Sequence, residues 1–312
     1  MKHENLSDEA FRASVVGASE VAALFGCSPW LTHFELWHRK VGNISVPEFN
    51  ARGDDGAPVN SRIHWGVKLE RLVIEEACER WGYVPLDTPK RLDNGKGLGG
   101  HPDQIVQCPI RGRGVLEVKT VDWIQRKKWG DEPPLHYLIQ PQVYAGLAGT
   151  DWADVIVMVL GGKSDLERFQ YDFRPVLYAD IEARVSNFWQ SIEDGKPPKP
   201  DYARDGDAIA SVIGEPDDTL VDLRRNNRAG LLAADFLDAK ARAKAADMEA
   251  DAAKAELLEI IGTAGAAMLE GYRVGCNMTK GSSGTLVTPE MVGTHVGARK
   301  GWRRFDVREV AV

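Results

Sequence analysis

The chain lacks any apolar run long enough to cross a bilayer. Its longest strongly apolar stretch is Val155–Leu160, against the roughly 20 residues a membrane-spanning helix needs. The first residues, Met1-Lys2-His3-Glu4-Asn5, are polar and carry no apolar signal region. No membrane partner and a cytoplasmic location are therefore expected. Cysteine is scarce and scattered: Cys27, Cys78, Cys108 and Cys276 contain no close-spaced pair. That spacing excludes a zinc ribbon, gives no support for an iron–sulfur cluster, and predicts free thiols. In that setting the Asn43-Ile44-Ser45 sequon is irrelevant. Positive charge is also short, with 39 Lys and Arg against 46 Asp and Glu and a net charge of −7. A generally basic, nucleic-acid-coating surface is thereby excluded, so phosphate-binding charge has to be local. No internal repeat is evident. Gly161-Gly162-Lys163-Ser164 resembles the tail of a phosphate loop, but Val157 stands where that loop needs its first glycine. It reads instead as a hairpin turn.

What is present is the composition of an ordinary globular protein, with room in 312 residues for one large domain or two smaller ones. The segment Gly17–Gly26 reads as a short helix capped by Ser19, followed by a turn at Pro29-Trp30-Leu31 and a helix capped by Thr32. Arg62–Trp81 is the clearest helix, with Val67, Val73, Ile74, Ala77 and Trp81 at helical spacing. Strands are predicted over Gly99–Gln107 and Gly114–Thr120, then a basic helix-compatible stretch from Trp123 to Trp129. A helix follows whose Pro141 calls for a start near Tyr137. Ala153–Leu160 and Leu166–Phe173 read as a hairpin, and Tyr178–Asp194 as a helix. Gly195-Lys196-Pro197-Pro198-Lys199-Pro200 marks a boundary. The expected organisation is a domain over 1–200, a linker over 201–225, and 226–312 as a long Ala-rich helix with short strands such as Tyr272–Met278 and Trp302–Val307. The helix reads as a packing arm or a weak coiled coil.

The candidate chemistry lies in Pro102-Asp103 and Glu117-Val118-Lys119. Two carboxylates can hold a hard Mg²⁺ ion through oxygen. A lysine beside them can steer water or stabilise the negative transition state of a phosphodiester. Strand alternation puts Glu117 and Lys119 on one face, with Leu116 and Val118 on the other. A hairpin between the two predicted strands would set Asp103 beside Glu117. Alone, acid-x-lysine on a strand is common by chance and reads equally as a solvated face. Glu70 adds a third acid on the apolar stripe of its helix, where a carboxylate is costly unless paired or metal-bound. Gly66, one turn earlier, leaves space for an approach. Gln140 and Tyr144, four apart, share a helix face. The basic residues Arg111, Arg113, Lys119, Arg126, Lys127 and Lys128 gather near these positions in sequence and suggest phosphate contact. Two distal groups, Arg224/Arg225/Arg228 and Lys300/Arg303/Arg304, read as solvated faces.

In this order, Gly17-Ala18-Ser19-Glu20-Val21, Ser28-Pro29-Trp30, Gly66 to Glu70, Gly100-His101-Pro102-Asp103, Glu117-Val118-Lys119 and Gln140-Pro141-Gln142-Val143-Tyr144 resemble the PD-(D/E)xK nuclease superfamily. The match is to its branch of phage recombination exonucleases, the YqaJ-like and lambda-exonuclease group, and covers the first two-thirds of the chain. The resemblance implies an α/β, restriction-endonuclease-like core: a central mixed β-sheet flanked by helices, here with a C-terminal helical arm and small β extension. It implies that Glu70, Asp103, Glu117 and the Val118 carbonyl bind Mg²⁺, with Mn²⁺ able to substitute. Lys119 would position or activate the attacking water, and Gln140 and Tyr144 would orient it or the scissile strand. Ser19 would bind a 5′-terminal phosphate with Arg12 in support, a site that also suits a helix start. His101 and Gln142 complete the substrate-binding set, although His101 stands where a small hydroxyl residue is expected. The implied partners are double-stranded DNA ends, a single-strand annealing protein, and further copies of the chain in a ring such as a trimer. The implied activity is a 5′-to-3′ DNA exonuclease that exposes 3′ single strands. A related DNA endonuclease and a non-catalytic DNA-binding protein on the same fold remain as alternatives.

Overall fold

The computed structural model describes residues 7–45, 52–53 and 56–278. The chain divides after Gly214 into two units. The first opens with α1 (Asp8–Ser14), β1 (Val16–Gly17), the single turn α2 (Val21–Leu24) and α3 (His33–Lys40). The long α4 (Ser61–Trp81) follows, then β2 (Val84–Pro85), β3 (Leu92–Asp93) and β4 (Leu98–Gly100). Next come β5 (Gln104–Cys108), β6 (Gly112–Asp122), α5 (Trp123–Arg126), α6 (Leu135–Ala148), β7 (Trp152–Leu160), β8 (Asp165–Asp172), α7 (Pro175–Glu193) and α8 (Gly206–Ile213).

A five-stranded mixed sheet in the order β2-β5-β6-β7-β8 is the centre of this unit. β6 runs antiparallel to β5 and parallel to β7. Parallel neighbours need a crossover, and α5 and α6 supply it. Being paired on both sides and covered on both faces, β7 is buried almost without interruption, which is why Val155–Leu160 reads as an apolar run rather than an alternation. On one face, Ile139, Val143 and Ala145 of α6 and Ile181, Val185 and Phe188 of α7 pack against Ile105, Val115 and Ala153, together with α2 and α3. On the other, Val73, Ile74, Ala77 and Cys78 of α4 pack against Val106, Leu116, Trp152 and Ile156. A mixed α/β fold, with a central mixed sheet flanked by helices, is thus realised as expected.

Several local expectations change. The predicted Gly99–Gln107 strand is two strands: β4 joins a separate three-stranded sheet, β1-β4-β3, and β5 joins the main one. His101-Pro102-Asp103 is the break between them, where Pro102 has no N–H for a ladder. α2 is only four residues long, and Glu20, not Ser19, precedes it. The Glu20 carboxylate instead accepts from the Gly17 amide at 2.8 Å and pairs with Lys40 at 2.7 Å. So short a helix gives no dipole argument for an anion at Ser19. α6 begins at Leu135, two residues before the expected start, so Pro141 lies in its second turn. The residues from Ile139 to Ala145 are all buried, and that packing overrides the proline penalty. The stretch after Trp123 is helical only to Arg126. On α4 the buried stripe begins at Val73, whereas Val67 is exposed. Nothing lies within 4 Å of where a side chain on Gly66 would begin.

The predicted 201–225 linker contains α8, which belongs to the first unit. Buried Asp205 holds it there by accepting from Thr32 Oγ1, a contact 173 residues apart in sequence. The second unit contains α9 (Asn227–Ile261) and the antiparallel pair β9 (Ala266–Leu269) and β10 (Tyr272–Gly275). The expected helical arm and small β extension are these elements. None of the residues of α9 is buried. Trp302–Val307, the Lys300/Arg303/Arg304 group and the first six residues lie outside the described residues. Among the described residues, no helix is long and apolar enough to cross a membrane.

Candidate active site

The β5–β6 hairpin sets the acids. The ladder pairs Gln104 with Leu116, so Asp103, one residue before β5, stands across from Glu117. The Val118 amide lies beyond the last paired rung and donates to Asp103 Oδ2 at 2.7 Å. One carboxylate oxygen thus completes the ladder where β5 has ended. The Val118 carbonyl projects from the same edge of the strand.

Glu117 and Lys119 share the α6 face, as alternation requires. Lys119 Nζ donates to Glu117 Oε1 at 2.6 Å and to Gln140 Oε1 at 2.8 Å. Glu117 is 2% exposed, and its Oε2 is buried with no hydrogen-bond partner. Leaving a carboxylate oxygen dry and unmatched is costly. Burial, then the charges of Glu117 and Glu70, push the Asp103 carboxyl well above the usual range. Burial also raises Glu117, against the pull of Lys119. For Lys119, burial works against the ammonium, but Glu117 and Asp103 outweigh it and its pKa rises. In this arrangement the lysine is a cation and a hydrogen-bond donor.

Gln140 and Tyr144 come from consecutive turns of α6. Tyr144 is buried at 4% exposure. Burial, then Glu117 and Asp103, hold its phenol well above its usual pKa, opposed by hydrogen bonds from Gln140 and the His101 backbone. Gly100 permits this approach: a Cβ there would lie 2.9 Å from the Tyr144 ring and 3.0 Å from its oxygen. Tyr137 lies one turn before Gln140, with Lys119 Nζ 5.4 Å from its ring centroid. Sequence reasoning used Tyr137 only as a helix start. Its three-residue spacing from Gln140 was the available signal that it shares the site face.

Glu70 is half-buried on α4, which packs on the opposite face of the sheet from α6. Burial raises its carboxyl first, with Glu117 adding and Lys119 opposing. It is within electrostatic reach, yet among the described residues no three His, Cys, Asp or Glu side chains are placed to hold one metal ion. The donor set still fits a hard divalent cation. It offers carboxylate oxygens that repel one another, one of them without a partner, and no sulfur.

The remaining predicted residues divide. β1 runs parallel to β4 with Gly17 level with Gly99. Exposed Ser19 lies in the turn that follows β1. The His101 ring packs on Phe11 at 5.3 Å, while its amide reaches Tyr144. Burial lowers its pKa first, and exposed Arg12 lowers it further. Arg12 and His101 are thus neighbours near the end of β4, and Ser19 follows the end of β1, the strand beside it. Gln142 is not brought to the acids: it is buried, donates to the Asp172 carbonyl at 3.0 Å and accepts from the Arg174 amide at 2.8 Å. Arg111 also lies elsewhere, at the far end of β6 from Lys119. It pairs with buried Asp154 at 2.7 Å and lies over Trp152, 4.2 Å from its ring centroid. Arg126 pairs with Glu167 at 2.7 Å. Of the basic residues near the acids in sequence, Arg111 and Arg126 are thus each taken up by a carboxylate elsewhere.

Residues 9–151 match the model of the YqaJ-like viral recombinase domain. The uncharacterized protein YqaJ of Bacillus subtilis (strain 168) is 27% identical over 212 residues, which cover 64% of this chain. The chain spans 59% of that relative's length. Among solved structures, an alkaline exonuclease from Laribacter hongkongensis is similar at 21% identity and a TM-score of 0.45, covering 61% of this chain and 94% of that one. A phage related exonuclease from Haemophilus somnus 129PT is similar at 16% identity and a TM-score of 0.40, covering 58% and 94%.

Proposed function

We propose that this chain, whose residues 9–151 match the model of the YqaJ-like viral recombinase domain, is a metal-dependent DNA exonuclease. It degrades one strand of a linear duplex from the 5′ end and leaves 3′ single strands for an annealing protein. The observation that carries the reading is the part-buried Glu117–Lys119–Gln140 chain, with Asp103 across from Glu117. A charged lysine fixed by two acceptors in a water-poor site is preorganised for negative charge that develops during reaction.

Asp103, Glu117 and the Val118 carbonyl, with Glu70 closing from α4, would hold Mg²⁺ or Mn²⁺. Such an ion supplies charge neutralisation at the phosphoryl oxygens and a more acidic water. Lys119 donates hydrogen bonds, orienting the attacking water and stabilising the phosphorane-like transition state. Gln140 fixes the lysine through Oε1, and the Tyr144 hydroxyl stays protonated. Ser19, with Arg12, is proposed to receive the terminal phosphate beside His101.

The test is digestion of end-labelled linear duplex with Mg²⁺, comparing 5′-phosphate with 5′-hydroxyl ends. Loss of the 5′ label, slowed about 10²–10³-fold in Lys119→Ala, is expected; no activity, or activity indifferent to Lys119, sinks the reading. A closed circular duplex separates the endonuclease alternative, because an exonuclease leaves it intact. A ring of copies would let a chain of net charge −7 turn its few basic residues inward. A monomeric mass by light scattering with DNA present would count against it.

A further inference from the structure

Trp30 keeps 66% of its surface in water, yet the loop that carries it is tied on both sides. Buried Ser28 accepts through Oγ from the Leu31 amide at 3.2 Å and the Trp30 amide at 3.4 Å. Its carbonyl accepts from Arg204 Nη2 at 2.6 Å. Thr32 caps α3 by accepting from the Glu35 amide at 3.0 Å, and its hydroxyl donates to buried Asp205. Asp205 also accepts from the Asp201 amide at 2.7 Å. Single exposed apolar residues are ordinary. This one differs in its rigid mounting and in what it faces.

The Trp30 ring meets His136 edge-on, with centroids 4.9 Å apart and planes at 89°. It lies 6.2 Å from Tyr137. Tyr137 in turn lies 5.5 Å from Trp129 and 5.4 Å from Lys119 Nζ. Tyr137 thus stands between the exposed tryptophan and the lysine of the candidate site. We infer that Trp30 and Tyr137 form a stacking ledge for the base of the terminal nucleotide whose phosphodiester meets Lys119. The inference rests on the nuclease reading and deepens it.

The chemistry favours this occupant. A nucleotide carries its base and its phosphate a short distance apart, and here a run of rings adjoins a phosphate-directed lysine. Base–aromatic stacking is indifferent to sequence, because every base has a π-face. A base inside a duplex is already stacked and cannot use the ledge; a frayed terminal base can. The ledge would therefore select unpaired ends over continuous duplex.

The test compares cleavage of two duplexes, one with a normal terminal nucleotide and one with an abasic terminal nucleotide on the strand being cut. Wild type should cut the base-bearing end about tenfold faster in kcat/KM. Trp30→Ala should bring that ratio close to one, and Trp30→Phe should restore most of it. A second readout needs no hydrolysis: a 2-aminopurine-ended oligonucleotide in EDTA should be quenched by wild type and not by Trp30→Ala. Equal cleavage of both duplexes by wild type, or a ratio unchanged in Trp30→Ala, overturns the ledge and leaves the nuclease reading standing. No cleavage of either duplex, with the quench retained, overturns the nuclease reading alone. Neither cleavage nor quench overturns both.

Discussion

α6 and α9 are both helices, and they are helical for opposite reasons. α6 contains Pro141 and is buried from Ile139 to Ala145. α9 runs for 35 residues, is rich in alanine, and has none buried. In α6, tertiary packing imposes a helix on a sequence that resists it locally. In α9, propensity and pairs such as Arg242–Asp238 sustain a helix that its own unit buries nowhere. The first unit can therefore place charged side chains where local preference would not put them, and the candidate site lies on such an element.

The largest expected effect tests that placement. Lys119→Ala should lower the hydrolysis rate about 10²–10³-fold with native circular dichroism at 25 °C, and because it leaves buried Glu117 without its cation it should also lower the melting temperature. No change in rate would detach the site from the packing that builds it. Next is Gly114→Ala in β6, where a Cβ would fall 2.1 Å from the Trp152 ring. It should destabilise the first unit by about 1–3 kcal/mol, read by denaturant unfolding. The same substitution at Gly230 in α9 meets nothing within 4 Å. It should stabilise the helix by about 0.5–1 kcal/mol. Equal signs at the two positions would break the contrast.

Between these lies Asp103→Asn, which should abolish hydrolysis yet stabilise the metal-free protein at neutral pH by about 1 kcal/mol. The sign follows from linkage. The Asp103 carboxyl is raised in the fold by burial and by Glu117 and Glu70, so above the usual aspartate range the folded chain binds more protons than the unfolded one. Stability then falls as pH rises through that window. In EDTA, Asp103→Asn should raise the melting temperature more near pH 8 than near pH 5. The same shift at both pH values would refute the crowding of acids.

Much of the site was legible because it obeys short-range periodicities. Glu117 and Lys119 meet through strand alternation, Gln140 and Tyr144 through helical spacing, and Asp103 through a hairpin. What stayed hidden depends on long-range contacts. Thr32 and Asp205 give no sequence sign that they bond, so the segment holding Trp30 in place read as linker. The break at Pro102 was visible as irregularity, but not that β4 would leave for another sheet. Arg111 misled because β6 is long enough to carry a neighbour in sequence to its opposite end. The early turns of α4 carry an apolar pattern without burial, so Val67 was read as core.

β6 is paired along both of its edges, and at the end of one of them the Asp103 carboxylate takes the place of the missing strand. Amides so held exchange with solvent only when the sheet itself opens. Val118 should accordingly rank among the slowest-exchanging amides of the chain, slower than any amide of α9. Asp103 and Glu117 then keep their arrangement for as long as the molecule stays folded, and a substrate meets these two already in place.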